Sequence, residues 1–196
     1  MPIPTLAEKL EWLKPAPATQ YEIECAAKVR QGDYEIGVQI TNDILDEAME
    51  VFVRSSRSYF GVSGDSMVAI FTANGDLINA SCGTYLHAII QPIVIKFVQK
   101  YYAENPGIRE GDIWYTNDAL YGGIHNPDQV ALMPVFYKGK LLAWASAALH
   151  LSLIHIFPGN RMDGCAILEG VNTTYFVPEG WTMVVDSYGN GDLSRK

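Results

Sequence analysis

GDIWYTNDALYGGIHNPDQVALMPVFYKGKLLAWASAALH, residues 111–150, holds two apolar runs around a short polar turn, and the second run ends on a histidine. Gln129 to Phe136 and Leu141 to Leu149 are mostly β-branched or apolar, which predicts two buried strands. Tyr137-Lys138-Gly139-Lys140 between them has hairpin chemistry. A three-residue loop centred on Gly139 sets Asp128 opposite His150. A two-residue loop at Lys138-Gly139 shifts the register by one and exchanges the faces of one strand. A bulge at Pro134 is a further option. In each register the start of the first strand meets the end of the second, so His125, Asp128 and His150 converge.

Two imidazoles and one carboxylate form a donor set for a divalent ion with positions left open for substrate or water, and Mn, Fe and Zn all suit it. Ordinary polar residues at a strand end are the competing reading. Just upstream, Asn117 and Asp118 precede Gly122-Gly123. The glycines allow close backbone approach, so Asn117 and Asp118 are candidates to touch substrate or to orient the ligands. A plain turn accounts for them equally well.

The chain has 196 residues, a net charge of −8 and 48% hydrophobic residues, which allows one or two globular domains. Its acidity argues against a nucleic-acid partner, for which a basic face is expected. It contains no apolar run of the roughly 20 residues that span a bilayer, and Met1–Pro17 lacks the apolar core of a signal peptide. Cys25, Cys82 and Cys165 have neither metal nor redox spacing. A reduced, cytoplasmic protein fits.

Residues 1–33 carry four early prolines and read as an arm, with a short helical piece around Leu6–Leu13. Such an arm suits either a partner subunit's surface or a strap on its own chain. A helix follows, with Thr41 and Asn42 as N-cap candidates and a stripe of Ile44, Leu45, Ala48, Met49 and Phe52 expected in the core. Asp65 to Asn79 reads as a hairpin turning at Asn74-Gly75. A second helix is expected from Pro92, in its first turn, to Tyr102. Cys82 and His87 lie between them. A Cys/His nucleophile pair is possible in principle, but a tight turn followed by a helix explains the stretch more simply.

LDEAMEVFVRSSRS, GDSMVAIFTANGDLINASCGTYLHA, GDIWYTNDALYGGIHNPDQ and MPVFYKGKLLAWASAALH resemble the N-terminal part of the hydantoinase B/oxoprolinase family. Within it they look nearest to the alpha subunits of acetone- and acetophenone-type carboxylases. The resemblance covers about residues 34–150. It implies metal ligands at the His and Asp of an H-x-x-D motif and at the histidine closing the next hairpin, which here are His125, Asp128 and His150. It further implies manganese as the first metal choice, and a hydantoinase A-like partner subunit that uses ATP, with a small third subunit as an option. The substrates implied are a ketone with bicarbonate or, as the alternative, a cyclic amide. A non-catalytic scaffold is the remaining reading. The chain itself has no glycine-rich phosphate loop of the GxxxxGK type.

After His150 the resemblance stops. Residues 151–156, LSLIHI, match a peptide encoded in one frame by the transposase end sequence of sequencing libraries. PGNRMDGCAILEGVNTTYFVPEGWTMVVDSYGN, residues 158–190, resembles the C-terminal end of hydantoinase A. The expectation is therefore a chimera: a B-type fragment over 34–150, a junction at 151–156, and an A-type β tail over 157–196. A natural rearranged fusion is the competing account. The fold class expected is α+β, with helices packed on antiparallel hairpins truncated from a larger subunit, plus a short all-β tail. Truncation would leave unpaired edges on the 129–149 hairpin.

Overall fold

The structure is a computed structural model, and it describes residues 3–56, 59–125, 127–150, 158–170, 173–188 and 190–195. Two units divide the chain, 1–151 and 152–196. The LSLIHI stretch lies outside the described residues.

Two short helices begin the first unit, α1 (Leu6–Trp12) and α2 (Gln20–Ala26). Each starts on a threonine followed three residues later by a glutamate, and both pairs form reciprocal capping boxes, Thr5 with Glu8 and Thr19 with Glu22. The second box lies in a stretch that the apolar pattern alone leaves without a helix. The arm is tied to its own chain. The Lys96 ammonium donates to the carbonyls of Trp12 (2.8 Å) and Lys14 (3.0 Å) and to Asp76 (2.6 Å). The other Asp76 oxygen accepts the Ala16 N–H at 2.8 Å.

The next helix, α3 (Asp33–Ser55), starts eight residues before the expected cap. Asp33 and Glu35 lie in its first turn, where negative charge complements the helix dipole. Thr41 and Asn42 are consequently interior: the Thr41 hydroxyl donates to the Gly37 carbonyl at 2.8 Å, and Asn42 bonds Asn79 across to the sheet. Of the expected core stripe only Leu45 is buried, while Ile44 is exposed.

A single helical turn, α4 (Tyr59–Val62), leads into the hairpin β1 (Ser66–Thr72) and β2 (Leu77–Cys82). Helix α5 (Tyr85–Tyr102) follows, with Pro92 inside it rather than in its first turn. The buried positions explain this. His87, Ala88, Gln91, Val94, Ile95 and Val98 fall at helical spacing and are all buried. Burying that stripe offsets the backbone bond that Pro92 removes. The stripe is hard to see in sequence because two of its first members are polar.

Three strands complete the sheet: β3 (Trp114–Thr116), β4 (Asp128–Tyr137) and β5 (Lys140–His150), in the order β2-β1-β5-β4-β3. The edges expected to be open on the β4–β5 hairpin are covered, because β1 pairs along β5 and β3 along part of β4. The mixed architecture of helices on antiparallel strands agrees with the expected class.

The hairpin turn contains two residues, Lys138 (φ 50°) and Gly139 (φ 76°), and places Tyr137 opposite Lys140. A regular ladder from that turn would put Leu149 opposite Asp128. The pairing instead shifts between Val135 and Phe136, which face Ala143 and Leu141, so Leu142 is the extra residue of a β-bulge. The bulge, three residues into β5 and not at Pro134, restores Asp128 opposite His150.

One face of this sheet is sealed by α5. Met67, Ala69 and Phe71 of β1, Val130 and Leu132 of β4, and Trp144 and Ala148 of β5 form one buried cluster with Ala88, Val94, Ile95 and Val98. Because side chains alternate along a strand, Asp128 and His150 lie on this same face, at its open end.

In the second unit β9 (Trp181–Val185) is the centre of a three-stranded sheet between β10 (Gly191–Arg195) and β6 (Arg161–Asp163), while β7 (Ala166–Gly170) and β8 (Thr173–Val177) form a separate hairpin. Among its described residues, Val177, Met183 and Val185 form a buried apolar cluster. The short strands agree with an all-β tail.

Trp144 is fully buried at the centre of the first unit's cluster. Trp144→Ala should destabilise that unit by about 3–5 kcal/mol, read as a fall in the urea midpoint.

Candidate metal centre

His125 and Asp128 are bonded to each other through their backbones. The Asp128 N–H donates to the His125 carbonyl at 3.0 Å, and the His125 N–H donates back to the Asp128 carboxylate at 3.1 Å. This reciprocal pair aims the His125 ring at the carboxylate, with Nδ1 at 3.3 Å from Oδ2. From the facing strand, His150 Nδ1 approaches the other oxygen, Oδ1, at 3.2 Å. The two rings stand nearly perpendicular, with centroids 4.8 Å apart. One potential ligand atom from each of the three residues lies within 4.8 Å of the others.

Burial grades across the cluster. The Asp128 side chain is 1% exposed, His150 16% and His125 51%. A buried carboxylate needs compensation by protons on its partners or by a cation. Here its two oxygens face two imidazoles, and the exposed side of His125 leaves an approach from solvent. The donor set suits a divalent ion, and the His–Asp separations of 3.3 and 3.2 Å match neighbouring donors about 3–3.5 Å apart around bonds near 2.1 Å, while the three-residue set spreads to 4.8 Å and must draw together to bind one.

Two residues outside the expected ligand set adjoin the cluster. The His150 N–H donates to the Asp65 carbonyl at 3.0 Å, extending the β1–β5 ladder by one pair. Asp65 therefore flanks His150 on one side as Asp128 does on the other. One Asp65 oxygen is 3.8 Å from His150 Nδ1, and the other is 3.1 Å from His87 Nε2. His87, 2% exposed, reaches Asp65 from the first turn of α5. Phe60 of α4 packs edge-on against the His150 ring, with centroids 4.6 Å apart. His87 is thus partnered by a carboxylate, and burial pushes the Cys82 thiol pKa up, which works against a thiolate nucleophile there.

The cluster does not include Asp118. Asn117 is exposed. Asp118 caps a short turn at Ala119–Tyr121, accepting the Leu120 N–H at 2.8 Å. It also borders a cavity of about 530 Å³ between α5 and β3, walled by Phe97, Tyr102, Trp114, Tyr121 and Leu132. Leu132 is four residues along β4 from Asp128, so this cavity is on the same sheet face as the cluster, roughly 13 Å further along the strand.

Helices packed on an antiparallel sheet, with His125 and Asp128 brought together at the start of β4 and a histidine closing the hairpin, define the architecture of this chain. It belongs to the Hydantoinase B/oxoprolinase family, which it matches over residues 33–155. It is 59% identical over 150 residues to the acetophenone carboxylase delta subunit of Aromatoleum aromaticum, covering 76% of this chain and 22% of that protein. The acetone carboxylase alpha subunit of Xanthobacter autotrophicus is 29% identical over 103 residues, 52% of this chain and 13% of that one. The chain thus spans less than a quarter of either relative's length. In fold it resembles the nucleotide-free structure of an acetone carboxylase, with a TM-score of 0.57 and 20% identity over 81% of this chain and 20% of that one. Among the described residues no helix is long and apolar enough to cross a membrane.

Gly122 lets the loop carrying His125 rest on α5. Its φ is +114°, and an added Cβ would come within 2.6 Å of the Val94 side chain and 3.2 Å of its backbone nitrogen. Gly122→Ala should therefore destabilise the first unit by about 1–3 kcal/mol, measured by urea denaturation.

Proposed function

We propose that residues 34–150 are the metal-binding front section of a subunit of an ATP-dependent ketone carboxylase. The buried Asp128 carboxylate, bracketed by two imidazoles of which one opens to solvent, carries this reading. A divalent ion held by His125, Asp128 and His150 would act as a Lewis acid, stabilising negative charge on a substrate oxygen. Manganese is the proposed ion, on family resemblance; the donor chemistry also suits zinc and iron. Asp128 supplies the anionic ligand and, through its backbone bond, sets His125. His150 enters from the facing strand, so the ligands have a rigid two-stranded frame. The half-exposed side of His125 leaves room for a small ketone and for activated carbon dioxide. ATP use is assigned to a hydantoinase A-like partner subunit, in keeping with relatives that are themselves named as subunits. A small third subunit and a cytoplasmic setting complete the proposal. The family also contains oxoprolinases, so ATP-dependent opening of a cyclic amide is the second reading of the same centre. Bicarbonate-dependent ATP turnover separates the two.

In the intact subunit assembled with its partners, His150→Ala should abolish both bound metal and turnover while the fold persists. Full metal occupancy in that variant, measured by elemental analysis, would refute the assignment.

The tail is proposed to be a hydantoinase A-like segment joined to the B-type section through residues 151–156. The two structural units divide after Leu151, which supports a boundary there, while the family match runs on to residue 155. An amplicon of source DNA from the codon of Lys140 to that of Gly170 is expected to break within LSLIHI. An uninterrupted natural read would favour a rearranged fusion instead.

A further inference from the structure

Asp118 lies outside the metal cluster, yet its position is fixed by hydrogen bonds on every side of its backbone. Its N–H donates to the Thr116 hydroxyl oxygen at 3.1 Å, and its carbonyl accepts from the Tyr121 N–H at 3.1 Å and the Gly123 N–H at 3.3 Å. One carboxylate oxygen accepts the Leu120 N–H at 2.8 Å. The other has no hydrogen-bond or ion-pair partner among the described residues.

That side chain lines the cavity of about 530 Å³ between α5 and β3, a volume in the range of small-molecule pockets. Aromatic rings reach the same cavity from three elements: Phe97 and Tyr102 from α5, Trp114 from β3, and Tyr121 from the short turn that Asp118 caps. They pack as two tilted pairs. Phe97 and Tyr121 have centroids 4.8 Å apart, and Tyr102 and Trp114 5.2 Å. Among the described residues that line the cavity there is no lysine, arginine or histidine.

The chemistry of this lining selects an occupant. Ring faces carry a negative potential that attracts cations, and the carboxylate adds a full negative charge without a basic partner. An anion is repelled by both. A neutral ligand would cover the carboxylate without compensating its charge. A bare metal ion needs several oxygen donors and makes no use of aromatic walls. A cation that carries its charge on an alkylated nitrogen satisfies the rings and the carboxylate together, and the chain's net charge of −8 favours its approach.

We propose that this cavity is a second binding site, for a small alkylated ammonium ion, with the rings of Phe97, Tyr102, Trp114 and Tyr121 around the cation and Asp118 as its counter-charge. The site shares no residue with His125, Asp128 and His150, so it stands independently of the metal reading.

The test compares choline with its neutral isostere 3,3-dimethylbutan-1-ol, in titrations of the full chain followed by tryptophan fluorescence, because Trp114 lines the cavity. Choline should give a saturable change, and the isostere should bind about tenfold more weakly. Asp118→Asn keeps an oxygen to cap the turn. It should weaken choline about fivefold and leave the isostere unchanged. Tyr121→Leu, which removes a ring, should weaken choline more than it weakens the isostere. Equal affinity for choline and the isostere would overturn the proposal, as would undiminished choline affinity in Asp118→Asn. If Asp118→Asn does not fold, undiminished choline affinity in Tyr121→Leu overturns it. The absence of any saturable change with choline in folded wild-type chain also overturns it, and leaves the metal centre untouched.

Discussion

A carboxylate almost wholly removed from water is the constraint on which the first unit turns. Asp128 sits at the start of β4 on the face that α5 covers, and burial of its charge is tolerable only because both oxygens face imidazoles and one also accepts a backbone N–H. Those partners come from two places. His125 is local, three residues before Asp128 and bonded to it through the backbone. His150 is 22 residues away and is delivered by strand register alone. If the register slipped by one, His150 would point to the other face and Asp128 would face Leu149.

The register depends in turn on a compensation within the hairpin. A two-residue turn at Lys138-Gly139 has the backbone twist that antiparallel strands prefer, but it sets the wrong parity for the far end. The bulge at Leu142 corrects that parity near the turn, so the rest of the ladder runs regularly to Asp128 and His150. Beyond the hairpin, β1 reinforces β5 along its length and brings Asp65 beside His150. The buried Trp144, Phe71 and Leu132 hold the three strands under α5, whose own first turn contributes His87. The cluster is thus assembled where the apolar layer ends, and its chemistry depends on that packing for position.

The arm and α3 show a different balance. Their capping boxes and charged turns are local features, yet Lys96 and Asp76 are what fasten the arm to α5 and the β1–β2 turn. α3 contributes a single buried leucine and two polar contacts to β2, from Asn42 and Asp46. Most of its apolar side chains, including Ile36, Ile40 and Ile44, are exposed.

From the sequence alone came the two strands around Lys138-Gly139, the first hairpin, the existence of both long helices, and the convergence of His125, Asp128 and His150. Each depends on a period of two or of 3.6 residues, or on a turn signal, all of which act over a few residues. The start of α3 and the first two turns of α5 were not legible. In α3 the stripe begins earlier than its best cap residues suggest, and in α5 the buried face opens on His87 and Gln91, polar residues that hydropathy assigns to solvent. Only the tertiary structure could reveal the bulge that sets register, the pairing of β1 with β5, and the placement of Asp65 beside His150 and of His87 beside Asp65. The residues Asp65 and His150 are far apart in the chain, and what joins them is a backbone ladder between non-consecutive strands. No local pattern encodes such a ladder, because its energy comes from hydrogen bonds and burial that exist only once the sheet has closed.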